Sequence, residues 1–373
     1  MSRAKWLLAG ATLALVLITL WAVRESGQRT GYVAHHEKLF PNLPAQASIA
    51  RRIEIRSAGK QVTLRGAGGD WTVVEKHDFP ADPAKVRALL EGLAELTLIE
   101  PRTADPTRHA ALHLDGPDAP ASRGVLVRVL GEGDTELAAV VLGKPRVSAG
   151  QGPREMFVRR PTQNQTWLAQ GAVDILRVPS LWLRAEAFDL PQKKVREICI
   201  RHPGEAPLTV VRATPDDVFH VATPLPKGRK PLASTIGAVA YGLQHLSLQD
   251  VYQPDEVTAD WSKATVVDFV TFDGLAVTAR VVTLNRTPYL RISAAMADDA
   301  TEQQRESGAA EAERINHEND GWVYVVPPQT VSTFTPKLDD LLEPLPSPAA
   351  AAAPSDPTVP HLPGRRPGAA SGR

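Results

Sequence analysis

The sequence predicts an α+β protein: an N-terminal transmembrane helix, two tandem repeats, each a mostly antiparallel sheet with a packed helix, and a disordered C-terminal tail. Three observations predict this. An uncharged run follows a basic leader, a strand motif recurs once, about 145 residues on, and each copy is followed by an apolar helical stripe. The boundaries that follow are 1–24 for the leader and anchor, 25–47 for a membrane-proximal linker, 48–190 and 191–343 for the repeats, and 344–373 for the tail.

Met1-Ser-Arg-Ala-Lys5 is a basic leader, and Trp6 to Val23 carries no charge. A helix of about eighteen residues crosses a bilayer core with little tilt. Trp6 and Trp21 stand near its ends, where indoles favour the interface. Arg3 and Lys5 put the leading side in the cytoplasm, so the expected orientation is N-in, with the bulk of the chain outside. A cleaved signal peptide would have a shorter apolar region and a small-x-small site, which Leu20-Trp-Ala-Val-Arg24 does not offer. The localisation expected is a bacterial inner membrane, crossed once.

The first repeat opens with Arg52-Ile-Glu-Ile-Arg56 and Gly59, and the second with Glu197-Ile-Cys-Ile-Arg201 and Gly204. Both read I-x-I-R-x-x-G, an alternating strand that runs into a turn. Second strands follow at Val62–Arg65 and Leu208–Arg212, and third strands at Trp71–Val74 and Val218–Val221. The clusters between them, Gly66–Asp70 and Pro215–Asp217, have hairpin-turn chemistry. In the first copy Asp82 caps a helix with Pro83 at its first position, and Val86, Leu89, Leu90, Leu93 and Leu96 form its stripe. In the second copy Ser234 is the expected cap, and Ile236, Val239, Ala240, Leu243 and Leu246 reproduce the stripe. Four β-rich segments close each copy, the last opening at Trp167 and at Trp322. A polar insertion near 293–320 is expected to interrupt the second copy as a solvated helix or loop. The tail is rich in Pro, Ala, Gly and Ser and cannot bury a core.

Basic and acidic residues number 42 each, so no global field attracts nucleic acid. Cys199 is the only cysteine, which excludes an internal disulfide and leaves a small strand residue. The candidate chemistry is thin. His109 and His113 have the i,i+4 spacing of a helical metal-ligand pair, with Asp105 and Asp115 nearby, and are the only weak metal candidates. The missing Glu of His-Glu-x-x-His and the turn-like Leu112–Pro117 favour a surface loop instead. His35-His36 are adjacent and chelate poorly. His77, His220 and His245 lack a visible triad partner. Gly66–Gly69 lacks the Lys-Ser/Thr of a phosphate loop. Lys144, Arg146 and Arg154, and the Lys227–Lys230 cluster, read as solvated charge. The sequons at Asn164 and Asn285 matter only in a eukaryotic secretory pathway. No catalytic residue and no cofactor is expected.

Leu39-Phe-Pro-Asn-Leu43, the I-x-I-R strand, Gly68-Gly-Asp-Trp71, Phe79-Pro-Ala-Asp82 and Leu112-His-Leu-Asp-Gly-Pro117 together carry a resemblance. With the N-terminal run, they resemble a bacterial family of unknown function found with gliding-motility-type ABC transport systems. The likeness spans about residues 1 to 343, and it departs from the family's Gly-Leu-Asp by placing His113 at the glycine. The resemblance implies an envelope protein that accompanies an ABC permease, its ATPase and a larger auxiliary subunit. It implies no active-site residues. The function expected is therefore a non-catalytic, membrane-anchored accessory or scaffold subunit of an ABC-type export system. The alternative is an envelope module that binds glycan, lipid or peptidoglycan without a transporter. A hydrolase using His109, His113 and the nearby Asp residues is the third and weakest reading.

Overall fold

A computed structural model describes residues 36–146 and 153–345. The leader and uncharged run, residues 25–35 of the membrane-proximal linker (His35 among them) and the tail from residue 346 lie outside the described residues.

Ten strands make the first sheet: β1 (Glu37–Lys38), β2 (Arg52–Ser57), β3 (Lys60–Ala67), β4 (Asp70–Val73), β5 (Phe79–Pro80), β6 (Thr97–Pro101), β7 (Val125–Leu130), β8 (Glu136–Arg146), β9 (Glu155–Arg159) and β10 (Thr166–Gln170). They lie in the order β1-β6-β10-β9-β8-β7-β2-β3-β4-β5, every pair antiparallel. Two helices belong to this half, the short α1 (Leu43–Gln46) and α2 (Pro83–Glu95). The Asp82 carboxylate accepts from the Ala84 amide and caps α2, as its sequence predicts. Val86, Leu89, Leu90 and Leu93 are buried against one face of the sheet, with Ile53, Ile55, Val127 and Val140 in the same core.

The other face of that sheet is covered by chain that is not α-helix. Leu126, Val141, Phe157 and Leu168, alternating with the core-facing residues, pack under Leu112 and Leu114 of the connection between β6 and β7. Two glycines allow this approach. A Cβ at Gly143 would sit 2.4 Å from the Leu112 carbonyl oxygen, and one at Gly124 would sit 2.3 Å from that of Asp115.

The second half begins with β11 (Glu186–Phe188), β12 (Val195–Arg201), β13 (Leu208–Val211), β14 (His220–Val221), β15 (Arg229–Pro231), β16 (Leu246–Ser247) and β17 (Asp250–Tyr252). It continues with β18 (Thr265–Thr271), β19 (Leu275–Leu284), β20 (Thr287–Met296), β21 (Val323–Val325) and β22 (Leu342–Pro344). Eight of these form the second sheet, in the order β14-β13-β12-β18-β19-β20-β21-β17. The first sheet contains the run β4-β3-β2-β7-β8-β9-β10-β6, which has the same order with corresponding strands. The two I-x-I-R segments, β2 and β12, occupy equivalent interior positions. The helices are α3 (Ala233–Val239), α4 (Glu302–Asn319) and α5 (Pro328–Phe334).

The α+β expectation is corrected by this architecture. The fold is mostly antiparallel sheet with few helices, and no described helix is long and apolar enough to cross a membrane. The reason is visible in the second stripe. Helix α3 is only seven residues long, its N-cap is Leu232 rather than Ser234, and Ala240 to His245 turn irregularly before β16. Gly242 lies where this segment crosses α5, and a Cβ there would be 2.2 Å from the Cβ of Phe334. Close packing against Phe334, not helical continuation, places Leu243 and Leu246 in the core.

The polar segment near 293–320, expected as a solvated helix or loop, contains a mostly exposed helix. Ser293 to Met296 belong to β20, and Glu302–Asn319 is a helix opened by a Thr301–Gln304 capping box. Pairing of β21 with β20 reaches only Tyr289 and Leu290. Beyond it the Asn316 amide accepts from Ala294 N–H at 2.7 Å and donates to Ala294 O at 2.8 Å. A polar helix thus seals a sheet edge that would otherwise invite pairing with another chain.

The two halves share one hydrophobic core. The connecting chain is hydrogen-bonded to both. Asp82 N–H donates to Trp182 O, and Arg184 N–H donates to Pro80 O, while β11 pairs with β16. Phe79 meets Trp322 edge-on at 5.1 Å and Tyr324 at 6.3 Å. Lys76 crosses to the second half, 2.6 Å from the Asp250 carboxylate and 4.4 Å from the centroid of the Tyr252 ring. Burial first, then Asp250, pushes the Tyr252 hydroxyl up to about 12.

Candidate functional site

A groove of 480 Å³ runs between α1, the β3–β4 hairpin and α2. Its floor is apolar: Leu43, Ala47, Trp71, Val86 and Leu90 line it, with Ala94 at one end. The hairpin positions Trp71. Gly68 and Gly69 take positive φ, of 62° and 103°, so the chain reverses and Asp70 and Trp71 re-enter the sheet opposite Ala67 and Gly66. Gly66 then gives the indole room, since a Cβ there would stand 3.0 Å from Trp71 Cζ2. The ring is left half-buried at the groove wall.

Three charged residues border the groove. Arg51 is held by the chain it follows, donating through Nη1 to Ser48 O at 3.3 Å and Ala50 O at 3.2 Å. Arg87 and Glu91 stand exposed one turn apart on α2. An apolar trough with a few charges at its margin is suited to an apolar segment with polar flanks. The segments that carried the resemblance meet here. Leu43 ends the Leu-Phe-Pro-Asn-Leu run, Gly69 and Trp71 come from the Gly-Gly-Asp-Trp turn, and Pro83 follows the Phe-Pro-Ala-Asp lead into the helix. No single-residue signal in the sequence marks the groove, because its lining comes from three segments joined only by the tertiary fold.

The weak metal candidates are not brought together as helical ligands. Pro106–Leu112 is a 3₁₀ helix, which does not stack residues four apart on one face. His109 is buried, and its Nε2 lies 2.9 Å from Asn164 O. His113 ends the helix in the left-handed region, at φ 57° and ψ 40°, with Nε2 3.1 Å from Arg123 Nη1. Burial, then the Arg123 charge, holds the His113 imidazole below its ordinary proton affinity. Among the described residues no group of three His, Cys, Asp or Glu side chains could hold a metal ion.

The other sequence candidates are placed as follows. Arg146 pairs with Glu155 at 3.4 Å and Arg154 with Asp174 at 3.0 Å. Arg229 and Lys230 pair with Asp339 and Glu343. His77 lies 3.0 Å from Glu256 across the junction of the halves, and His220 is exposed in β14. His245 has a positive φ of 49° and stands between Glu186 and Asp189 of the connecting chain. Those carboxylates, Glu186 first, raise its proton affinity. Cys199 is half-buried in β12, with Arg201 Nη1 at 3.4 Å from its sulfur.

Sequence reasoning missed Arg212. It is buried, donates to the carbonyls of Val195, Pro215 and Gln192 at 2.7–2.8 Å, and lies 4.5 Å over the Phe219 ring. These contacts join the end of β13 to the start of β12 and to the loops on either side, so its role is structural.

No curated protein matches this chain, and no solved structure matches it. The family model described as a domain of unknown function, DUF4340, matches residues 71–263, from Trp71 at the groove wall to the segment before β18. That match covers just over half of the chain and crosses both sheets, so the chain belongs to the DUF4340 family of domains of unknown function.

Proposed function

We propose that this protein is a non-catalytic accessory or scaffold subunit on the outer side of a bacterial inner membrane, serving an ABC-type export system. The observation that carries the reading is the Trp71 groove. It is apolar, open, free of clustered acid–base or metal-ligating side chains, and lined in part by Leu43 and Ala47, close in sequence to the uncharged run. The basic leader and the uncharged run Trp6–Val23 support a location at the membrane. From Arg24 to His36 the chain spans at most about 45 Å, so a groove bounded by Leu43 and Ala47 stays within reach of a membrane partner. The shared core supports a scaffold, because both sheets then move as one body.

The test is affinity purification of tagged full-length protein from gently solubilised native membranes, followed by mass spectrometry. Stoichiometric recovery of an ABC permease and ATPase, lost in Trp71→Ser and Leu90→Asn variants that keep their circular dichroism, is the expected result. Recovery of the protein alone, with crosslinking also silent, overturns the transporter reading and favours the envelope-binding module.

A further inference from the structure

The β19–β20 pairing sets Arg280 directly opposite Arg291 on the same face of the second sheet. Like charges in that relation repel and destabilise the pair unless something neutralises them. The other arginines of this sheet are paired. Arg196 holds Asp299, Arg201 holds Asp268, and Arg212 spends its donors on three carbonyls. Among the described residues neither the Arg280 nor the Arg291 side chain has an ion pair or a hydrogen bond to the protein. Arg291 is instead stacked 4.0 Å over the Trp261 ring, and its Nε is buried with no hydrogen-bond partner. Stacking fixes the plane of a guanidinium without using its donors.

Both arginines line a cavity of 400 Å³ at the end of α4, together with Ser293, His317 and Asp320. Burial, and then the Arg280 charge, lowers the proton affinity of Arg291. Asp320 is the one carboxylate in the lining, and it has no ion pair among the described residues.

We propose that Arg280 and Arg291 form a binding site for a phosphoryl group in this cavity, with His317 and Ser293 at its margin. Two guanidiniums on adjacent strands offer paired donors to a tetrahedral oxyanion, and the anion relieves the repulsion between them. Asp320 opposes binding and limits its strength. The same chemistry serves free phosphate or the phosphodiester of a lipid headgroup.

The experiment is calorimetric titration of full-length protein in a neutral detergent with inorganic phosphate and, separately, with glycerophosphoglycerol as the headgroup diester. Saturable binding is expected, weakened about tenfold or more in Arg280→Gln and tightened in Asp320→Asn. Arg280 is exposed, so its variant folds even if Arg291→Lys, which loses the stack on Trp261, does not. Tighter binding of phosphate identifies free phosphate as the ligand, and equal or tighter binding of the diester identifies a headgroup. No saturable binding of either, or binding that is the same in the wild type and Arg280→Gln, overturns the site.

Discussion

Replacing Lys76 by Met keeps the side-chain stem but removes the charge that joins the two halves. The Lys76 side chain is 14% exposed and that of Asp250 is 22% exposed, with 2.6 Å between nitrogen and oxygen. An exposed ion pair contributes about 0–1 kcal/mol, whereas leaving one partner of a fully buried pair alone costs roughly 3–5 kcal/mol. This pair lies between those limits and nearer the buried one. The ammonium also sits on the Tyr252 ring, a contact that contributes about 0.5–1 kcal/mol. Lys76→Met is therefore expected to destabilise by about 2–3 kcal/mol. Asp250 also accepts from the Val251 amide at 2.8 Å, so Asp250→Asn alone mixes two effects. The cycle of Lys76→Met, Asp250→Asn and the double variant separates them, with an expected coupling of about 1–2 kcal/mol. The assay is urea unfolding followed by tryptophan fluorescence and circular dichroism together. Wild type should unfold in one transition, and Lys76→Met should shift the midpoint or split the curve into two. A coupling below about 0.3 kcal/mol, or two transitions already present in wild type, would refute the idea that this contact helps fuse the halves.

Three further expectations follow from backbone and charge. His113 occupies the left-handed region, so His113→Gly should be more stable than His113→Ala by about 1 kcal/mol, the reverse of their order in a helix, as thermal unfolding will show. Gly242→Ala drives a Cβ into Phe334, which is itself packed 6.1 Å from Phe269, and should destabilise by roughly 3 kcal/mol. Gly237→Ala, in α3 with open space around it, is the control and should be neutral or mildly stabilising in the same chemical denaturation. His245 has a raised proton affinity in the folded state, so its contribution is fully present below the unfolded histidine range of about 6.5 and is lost as pH rises through the higher folded value. A pH series of urea midpoints should slope downward there in wild type and flatten in His245→Gln. An imidazole proton resonance of His245 that titrates at or below the ordinary value would contradict the Glu186 and Asp189 contacts.

Local chemistry made several parts legible from residues alone. The alternation in Arg52-Ile-Glu-Ile-Arg56 and Glu197-Ile-Cys-Ile-Arg201 reads as strand because period-2 burial needs no partner to be recognised. Asp82-Pro83 before a leucine stripe reads as a helix start for an equally local reason, a side-chain cap and a fixed φ. The hairpin at Gly68-Gly69 is likewise written in two residues that tolerate positive φ.

Tertiary structure decided the rest, because non-local contact overrides local preference. The stripe from Ile236 to Leu246 has helical spacing, yet Phe334, about ninety residues away, packs on Gly242 and the helix stops after two turns. The i,i+4 spacing of His109 and His113 suggests paired ligands, but a 3₁₀ turn with a left-handed end sends one to Asn164 and the other to Arg123. The Trp71 groove and the Arg280–Arg291 pair depend on register and on which faces meet, quantities fixed by hydrogen bonds between distant strands. A chain determines alone the conformations its own neighbouring residues prefer. Which surfaces remain open for another molecule is settled only when the sheets have closed on each other.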